Sequence, residues 1–345
     1  MGCLRGGLVA TVVLLAVPVL AAQWTEDDFY RKAAVAQPFV VVASDNPALA
    51  TSVIGHRRFY AASKGDTFFD LARFYGLGYN ELGEANPGID PWVPGENKVI
   101  LLPTEWVLPQ AAYNGIVVNI PEMRLYYFQP RKGKGPQLVS TYPVGLGRDD
   151  WRTPMGKFRV RGKTKNPTWN IPVSIQKERV ADKGFTEKSI AGGSPDNPLG
   201  KYRIELTLPL YTIHGTNIPW GVGMQVSHGC IRLYPEDIEH LFPRVPVGTV
   251  GEFVYQPVKI GARGHHIYAE VHRDIYNLRP ALYREARGII AKLGWEDRVD
   301  MKLLAKAVEE QSGVPLDITL NGAQSGTELS EEGAPAPVVE REDDI

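Results

Sequence analysis

Two apolar runs, Ile116-Val117-Val118-Asn119-Ile120 and Arg124-Leu125-Tyr126-Tyr127-Phe128, flank the tripeptide Pro121-Glu122-Met123, and no other feature constrains the fold as strongly. β-Branched and aromatic side chains suit a pleated, packed surface, and a short proline-containing connection reverses direction, so the pair predicts a β-hairpin. Further short runs follow at 139–144, 156–160, 204–207, 211–214 and 250–255, separated by glycine and proline. Strands this short, without long helices between them, predict a mostly β domain over 115–258, a β-sandwich or open barrel rather than a parallel α/β sheet. One short helix is expected over 235–242, with Ile238, Leu241 and Phe242 turned inward.

Other textures surround this region. With 345 residues the chain has room for about two domains. Residues 58–103 predict a small strand-helix-helix-strand unit: Phe59-Tyr60-Ala61-Ala62, a turn at Lys64-Gly65-Asp66, a helix N-capped by Thr67 with Asp70 in the capping-box position, a stop at Gly76, a second helix ending at Asn86-Pro87-Gly88, and a closing strand Val99-Ile100-Leu101-Leu102. Before it, 23–57 reads as a lead-in segment with one β-prone run, Phe39-Val40-Val41-Val42; after it, 104–114 reads as a proline-containing linker. Helical spacing over 278–293 and 301–311 predicts a C-terminal helical segment, 259–320. The remainder, 321–345, is polar and acidic with little to bury, and is expected to be disordered.

The start, 1–22, has the form of a cleaved export signal: Arg5, an apolar run from Leu8 to Leu20, then Ala21-Ala22. That run is too short, and Pro18 too disruptive, for a stable membrane span. Export gives the two cysteines meaning. Cys3 is lost with the signal, which leaves Cys230 without an intramolecular partner in an oxidising compartment, where an odd cysteine is either an intermolecular bridge or a reactive thiol. Its neighbours favour the thiol. His214 lies upstream across a gap that a strand-loop-strand turn closes, His228 shares a face with Cys230 on an extended strand, and Gly229 permits a sharp backbone whose amides point at an oxyanion. A zinc site on His214, His228 and Cys230 would lack the paired ligands such sites use, so no metal and no organic cofactor is expected. A formal net charge of −1 offers no argument for nucleic acid as a partner.

The segments His214-Gly215-Thr216-Asn217 and Ser227-His228-Gly229-Cys230-Ile231-Arg232-Leu233 resemble the signature of the L,D-transpeptidases, enzymes with a YkuD-type catalytic domain. Tyr142-Pro143-Val144-Gly145-Leu146-Gly147 and Thr153-Pro154-Met155-Gly156-Lys157-Phe158 extend the likeness upstream. Residues 58–103 resemble a LysM domain through Lys64-Gly65-Asp66-Thr67, Leu71-Ala72-Arg73-Phe74-Tyr75-Gly76 and Asn86-Pro87-Gly88. The combination is most similar to periplasmic enzymes that attach Braun-type lipoprotein to peptidoglycan. The resemblance implies Cys230 as nucleophile, His214 as general base oriented by the Gly215 carbonyl, an oxyanion hole of backbone amides around His228, Gly229 and Cys230, and Ser227 and Arg232 in supporting or substrate-binding places. It implies peptidoglycan stem peptides and glycan strands as partners, with a lipoprotein lysine as one acceptor. Hydrolysis of the same acyl-enzyme, or peptidoglycan binding without catalysis, stays open at this point.

Overall fold

The structure, a computed structural model, describes residues 38–41, 51–131, 133, 136–184 and 186–320. The expected export signal at 1–22, most of the lead-in segment and the acidic tail at 321–345 lie outside the described residues.

Strands β1 (Phe39–Val41) and β2 (Val53–Gly55) precede the unit β3 (Arg58–Ala61), α1 (Phe68–Phe74), α2 (Tyr79–Ala85) and β4 (Val99–Leu102), followed by β5 (Glu105–Val107). The central region begins with β6 (Gly115–Asn119), β7 (Arg124–Phe128), β8 (Gln137–Pro143), β9 (Leu146–Gly147), β10 (Gly156–Lys165) and β11 (Trp169–Asn170). It continues through α3 (Val173–Lys183), β12 (Ser189–Ile190), β13 (Tyr202–Leu206), β14 (Thr212–His214), β15 (Gln225–Ser227), β16 (Ile231–Arg232), α4 (Pro235–Arg244) and β17 (Val250–Val254). A final module comprises β18 (Val258–Arg263), β19 (His266–Val271), α5 (Leu282–Leu293), α6 (Met301–Glu310) and β20 (Leu316–Asp317).

One nine-stranded mixed sheet, in the order β1-β8-β7-β6-β17-β10-β13-β14-β16, dominates this mostly β architecture. The predicted hairpin is its centre, with β6 and β7 antiparallel from Gly115↔Phe128 to Asn119↔Arg124 and Met123 in the left-handed region at the turn. Both faces of the hairpin are buried. Ile116, Val118, Leu125 and Tyr127 join the core that contains Ile238 and Leu241 of α4, while Val117, Tyr126 and Phe128 join Phe68 and Leu71 of α1 in a second core. A sheet covered on both sides explains why these strands read as continuous apolar runs instead of alternating with polar residues.

The strand-helix-helix-strand unit is fastened to the central sheet by buried charges. Arg73 of α1 forms a bidentate pair with Glu236 of α4 at 2.8 and 3.0 Å, and Arg124 of β7 meets Glu81 of α2 at 2.5 Å. The Thr67 hydroxyl accepts the Asp70 N–H at 3.2 Å, so α1 starts at the expected cap. The two backbones also meet at Gly78 and Gly223. Gly223 has φ +80, and a Cβ there would lie 2.4 Å from Gly78 Cα. Gly223→Ala is therefore expected to cost roughly 1–3 kcal/mol through overpacking and left-handed strain; urea unfolding at the wild-type midpoint would contradict this contact.

Three stretches differ from their sequence reading. The linker is not a free tether, because β5 lies inside it, pairs with β2 and is buried throughout. The C-terminal segment has its two helices but also a three-stranded sheet, β18-β19-β20. Lys259 and Glu270 interrupt the apolar pattern of β18 and β19 yet are fully buried and paired, which disguised these strands as polar sequence. Helix α3 was not expected: it buries no residue, so its sequence carries no apolar stripe.

Candidate active site

Strand alternation sorts the last three strands of the large sheet into two faces. Ile204, Leu206, Ile213 and Ile231 point into the core. The opposite face carries Arg203 and Glu205 of β13, Thr212 and His214 of β14, and Arg232 of β16. Register makes these a grid: Arg203 lies opposite His214, His214 opposite Arg232, and Glu205 opposite Thr212. Cys230, two residues before Arg232, joins the same face, and all six line a groove of about 690 Å³ that α3 borders with Glu178 and Arg179.

Cys230 is a free, partly exposed thiol. Its Sγ lies 3.7 Å from Thr212 Oγ1 and donates to the Leu210 carbonyl at 3.5 Å. His214 is buried, with Nδ1 2.6 Å from the Gly215 carbonyl. That carbonyl can only accept, so Nδ1 carries the proton and Nε2 is left as the basic nitrogen. The structure thus places the thiol and imidazole in one groove with the imidazole oriented as the sequence implied, while among the described residues the thiol's hydrogen bonds go to Thr212 and Leu210, not to His214.

Burial lowers the His214 pKa to about 3, with the Arg232 and Arg203 charges on either side acting in the same direction. The resting imidazole is therefore neutral, and the sign of its pH effect follows. Below the ordinary imidazole pKa, near 6.5, the unfolded chain takes up a proton that the folded one refuses, so stability contributed by this group is complete above that pH and is lost as pH falls toward 3. His214→Gln is expected to flatten the acid side of the stability curve between pH 6.5 and 4; parallel urea midpoints for both proteins across that range would refute the assignment. Arg232 itself is pushed below its usual range by burial, against the opposing pull of Cys230.

The Cys230 loop is held by Ser227, which the resemblance put in a supporting place, and by groups the sequence reading did not assign a role. Ser227 Oγ donates to the Cys230 carbonyl at 2.6 Å and accepts the Gly229 N–H at 3.1 Å. Gly229 has φ +98, and a Cβ there would meet Tyr211 Cε1 at 2.6 Å, so only glycine fits. The Gly229 carbonyl accepts from Thr153 Oγ1 at 3.0 Å, and Tyr276 from the C-terminal module donates to the Gly147 carbonyl at 2.8 Å beneath it. One expectation is corrected: the Gly229 amide is spent on Ser227 and does not face the groove as an oxyanion donor, whereas among the described residues the His228 and Cys230 amides have no protein acceptor.

His228 stands apart from the thiol. Its Nε2 pairs with Glu178 Oε2 of α3 at 2.5 Å, and its ring packs edge-on against Trp151 at 5.1 Å. Hydrogen bonds from His228 and then Arg148 hold the Glu178 carboxyl below its usual range. Thr153 lay within a recognised motif, but neither Glu178, on a helix without pattern, nor Tyr276, in another module, left a signal in the sequence.

Residues 113–260 match the YkuD family, the L,D-transpeptidase catalytic domain. The probable L,D-transpeptidase YcfS of Escherichia coli (strain K12) is 33% identical over 285 residues, spanning 79% of this chain and 87% of its own length. The probable L,D-transpeptidase YbiS of the same strain is 33% identical over 285 residues, 78% of this chain and 90% of its own. The probable L,D-transpeptidase ErfK/SrfK of Salmonella typhimurium is 34% identical over 261 residues, 72% of this chain and 81% of its own. The chain belongs to the L,D-transpeptidase family and is an enzyme acting on peptidoglycan. Its similarity to YcfS, YbiS and ErfK/SrfK runs well beyond the catalytic domain.

Proposed function

We propose that Cys230 is the nucleophile and His214 the general base of an exported, periplasmic L,D-transpeptidase. The observation that carries this reading is the grid on one sheet face, which sets a partly exposed thiol and an oriented, neutral imidazole beside backbone amides of His228 and Cys230 that have no acceptor among the described residues. On stem binding the thiol exchanges its Leu210 contact for His214 Nε2, and the thiolate attacks the carbonyl joining diaminopimelate to the terminal D-alanine. The oxyanion is received by the His228 and Cys230 amides. His214 accepts the thiol proton and gives it to the departing D-alanine amine, leaving a thioester on Cys230. A neutral resting base means that the thiolate forms with substrate in place, since the flanking Arg203 and Arg232 disfavour a standing imidazolium.

An amine then resolves the thioester, either a diaminopimelate side chain, giving a 3-3 cross-link, or a lipoprotein lysine. Thioesters react readily with amines, and a groove bordered by α3 favours transfer by limiting water. The unit 58–103, which resembles LysM, would keep the enzyme on glycan strands. The test is incubation with labelled muropeptides, with and without a lysine peptide. Cross-linked or lysine-linked product is expected; trimmed tripeptide alone would overturn transfer in favour of hydrolysis.

A further inference from the structure

The grid contains a charged pair to which the reaction above assigns no contact with substrate. Arg203 and Glu205 sit two apart on β13, hence on one face, and their side chains meet at 2.5 Å. Each is about a quarter exposed, at 26% and 23% of its side chain, so both present charge to the groove. A register irregularity between Val160 and Gly162 brings Arg161 to the same carboxylate at 3.3 Å. Gly162, opposite Glu205, leaves room above it: a Cβ there would already stand 3.4 Å from Glu205 Oε2. Arg203 Nε is buried and has no hydrogen-bond partner among the described residues. A donor kept buried without an acceptor calls for a partner.

We propose that Arg203 and Glu205 form a clamp for the zwitterionic α-amino-acid end of a diamino-diacid stem residue, Arg203 taking its carboxylate and Glu205 its ammonium. This deepens the transpeptidase reading and rests on it for the identity of the stem. The position suits the chemistry. Glu205 faces Thr212, whose hydroxyl touches the thiol at 3.7 Å, so the clamp lies about one strand spacing, near 4.8 Å, beyond the nucleophile's neighbour. A diaminopimelate whose carbonyl is under attack carries its second amino-acid centre on a three-methylene arm, which reaches a neighbouring strand. A guanidinium and a carboxylate at fixed separation match carboxylate and ammonium together, and neither lysine, lacking the carboxylate, nor an amidated diaminopimelate satisfies both halves. Arg232, on the far side of His214, is left free for the other end of the scissile bond.

The test uses full-length protein and three tetrapeptide stems: diaminopimelate with a free side-chain carboxylate, its carboxamide, and lysine. Binding is measured calorimetrically in the Cys230→Ala background, where no turnover intervenes, and D-alanine release and transfer are measured in the active enzyme. The clamp predicts that Arg203→Gln weakens binding of the free-carboxylate stem about tenfold or more while changing the other two by less than about threefold. Glu205→Gln should weaken all three, since all carry the ammonium, and should lose its effect on a side-chain N-acetylated stem. Arg203→Lys, which retains charge, guards against a folding defect and should recover part of the discrimination. Equal loss for all three stems in Arg203→Gln, the signature of a structural ion pair or of an effect through His214, overturns the clamp. Discrimination seen in D-alanine release upholds the clamp on the donor stem; discrimination confined to transfer overturns it. Stem-selective binding without any D-alanine release would uphold the clamp and sink the transpeptidase reading instead.

Discussion

Cys230→Ala is expected to lower D-alanine release and transfer by at least about a thousandfold, with stem binding and folding retained. The magnitude follows from the kind of step that is lost. A covalent intermediate cannot form without the sulfur, and removing the nucleophile from a unit that includes its base typically abolishes nearly all the acceleration the unit provides. The structural consequence is small. Cys230 is partly exposed, and the contacts of its side chain are long ones, 3.7 Å to Thr212 and 3.5 Å to Leu210. The loop is instead held through its backbone, by Ser227 on the Cys230 carbonyl and Thr153 on the Gly229 carbonyl, and an alanine leaves both bonds in place. Stability within about 1 kcal/mol of wild type is therefore expected. Turnover of labelled stems, with urea unfolding as the control, checks both statements. A folded variant that still releases D-alanine at a substantial rate would remove Cys230 from the chemistry.

How far such a site can be read from sequence depends on what fixes each residue. The hairpin at 116–128 was legible because its strands are apolar throughout, as burial on both faces demands. Cys230 and His214 could be singled out as candidate nucleophile and base because their local motifs resemble those of a family. Their relation to Arg203 was not, since strand register, not sequence spacing, sets Arg203 opposite His214. Tyr276 and Glu178 act from other elements, and nothing local to either residue records the backbone or side chain it will meet. The C-terminal sheet failed for an energetic reason: burying Lys259 and Glu270 is tolerable only because each neutralises the other in three dimensions, a condition invisible along the chain.

That last pair belongs to a larger network, and breaking it should produce the largest loss of stability of any single substitution considered. The Lys259 ammonium contacts Glu122 at 2.8 Å, Glu270 at 2.7 Å and the Val107 carbonyl at 2.7 Å, and all three charged side chains are fully buried. Glu122 also accepts from Asn119 at 3.0 Å and from the Tyr126 hydroxyl, and His272 meets Glu270 at 2.7 Å. Glu122, Glu270 and His272 have the grouping of metal ligands, but Lys259 contacts both carboxylates and supplies the cation itself. The network joins the central hairpin, β5 and the C-terminal module, whose Tyr276 donates to the Gly147 carbonyl beside the Cys230 loop. Lys259→Met leaves two buried carboxylates without their ammonium, and removal of one partner from a buried ionic group costs about 3–5 kcal/mol. The pH dependence separates this cause from lost packing. Burial pushes the Glu122 carboxyl upward, but Lys259 and His272 outweigh it and hold the group below its usual range. In the wild type the corresponding stability is present above the ordinary carboxylate pKa and is lost as pH falls through the folded value. Without Lys259, burial prevails and Glu122 favours its neutral form, so the penalty should shrink as pH falls from 7 to 5. Adding Glu122→Gln and Glu270→Gln to Lys259→Met should recover part of the loss at pH 7, because no charge then remains to be desolvated. Urea unfolding at both pH values decides the matter: a penalty that does not change with pH, or that the triple variant deepens, would mean that Lys259 acts by filling space and not by charge.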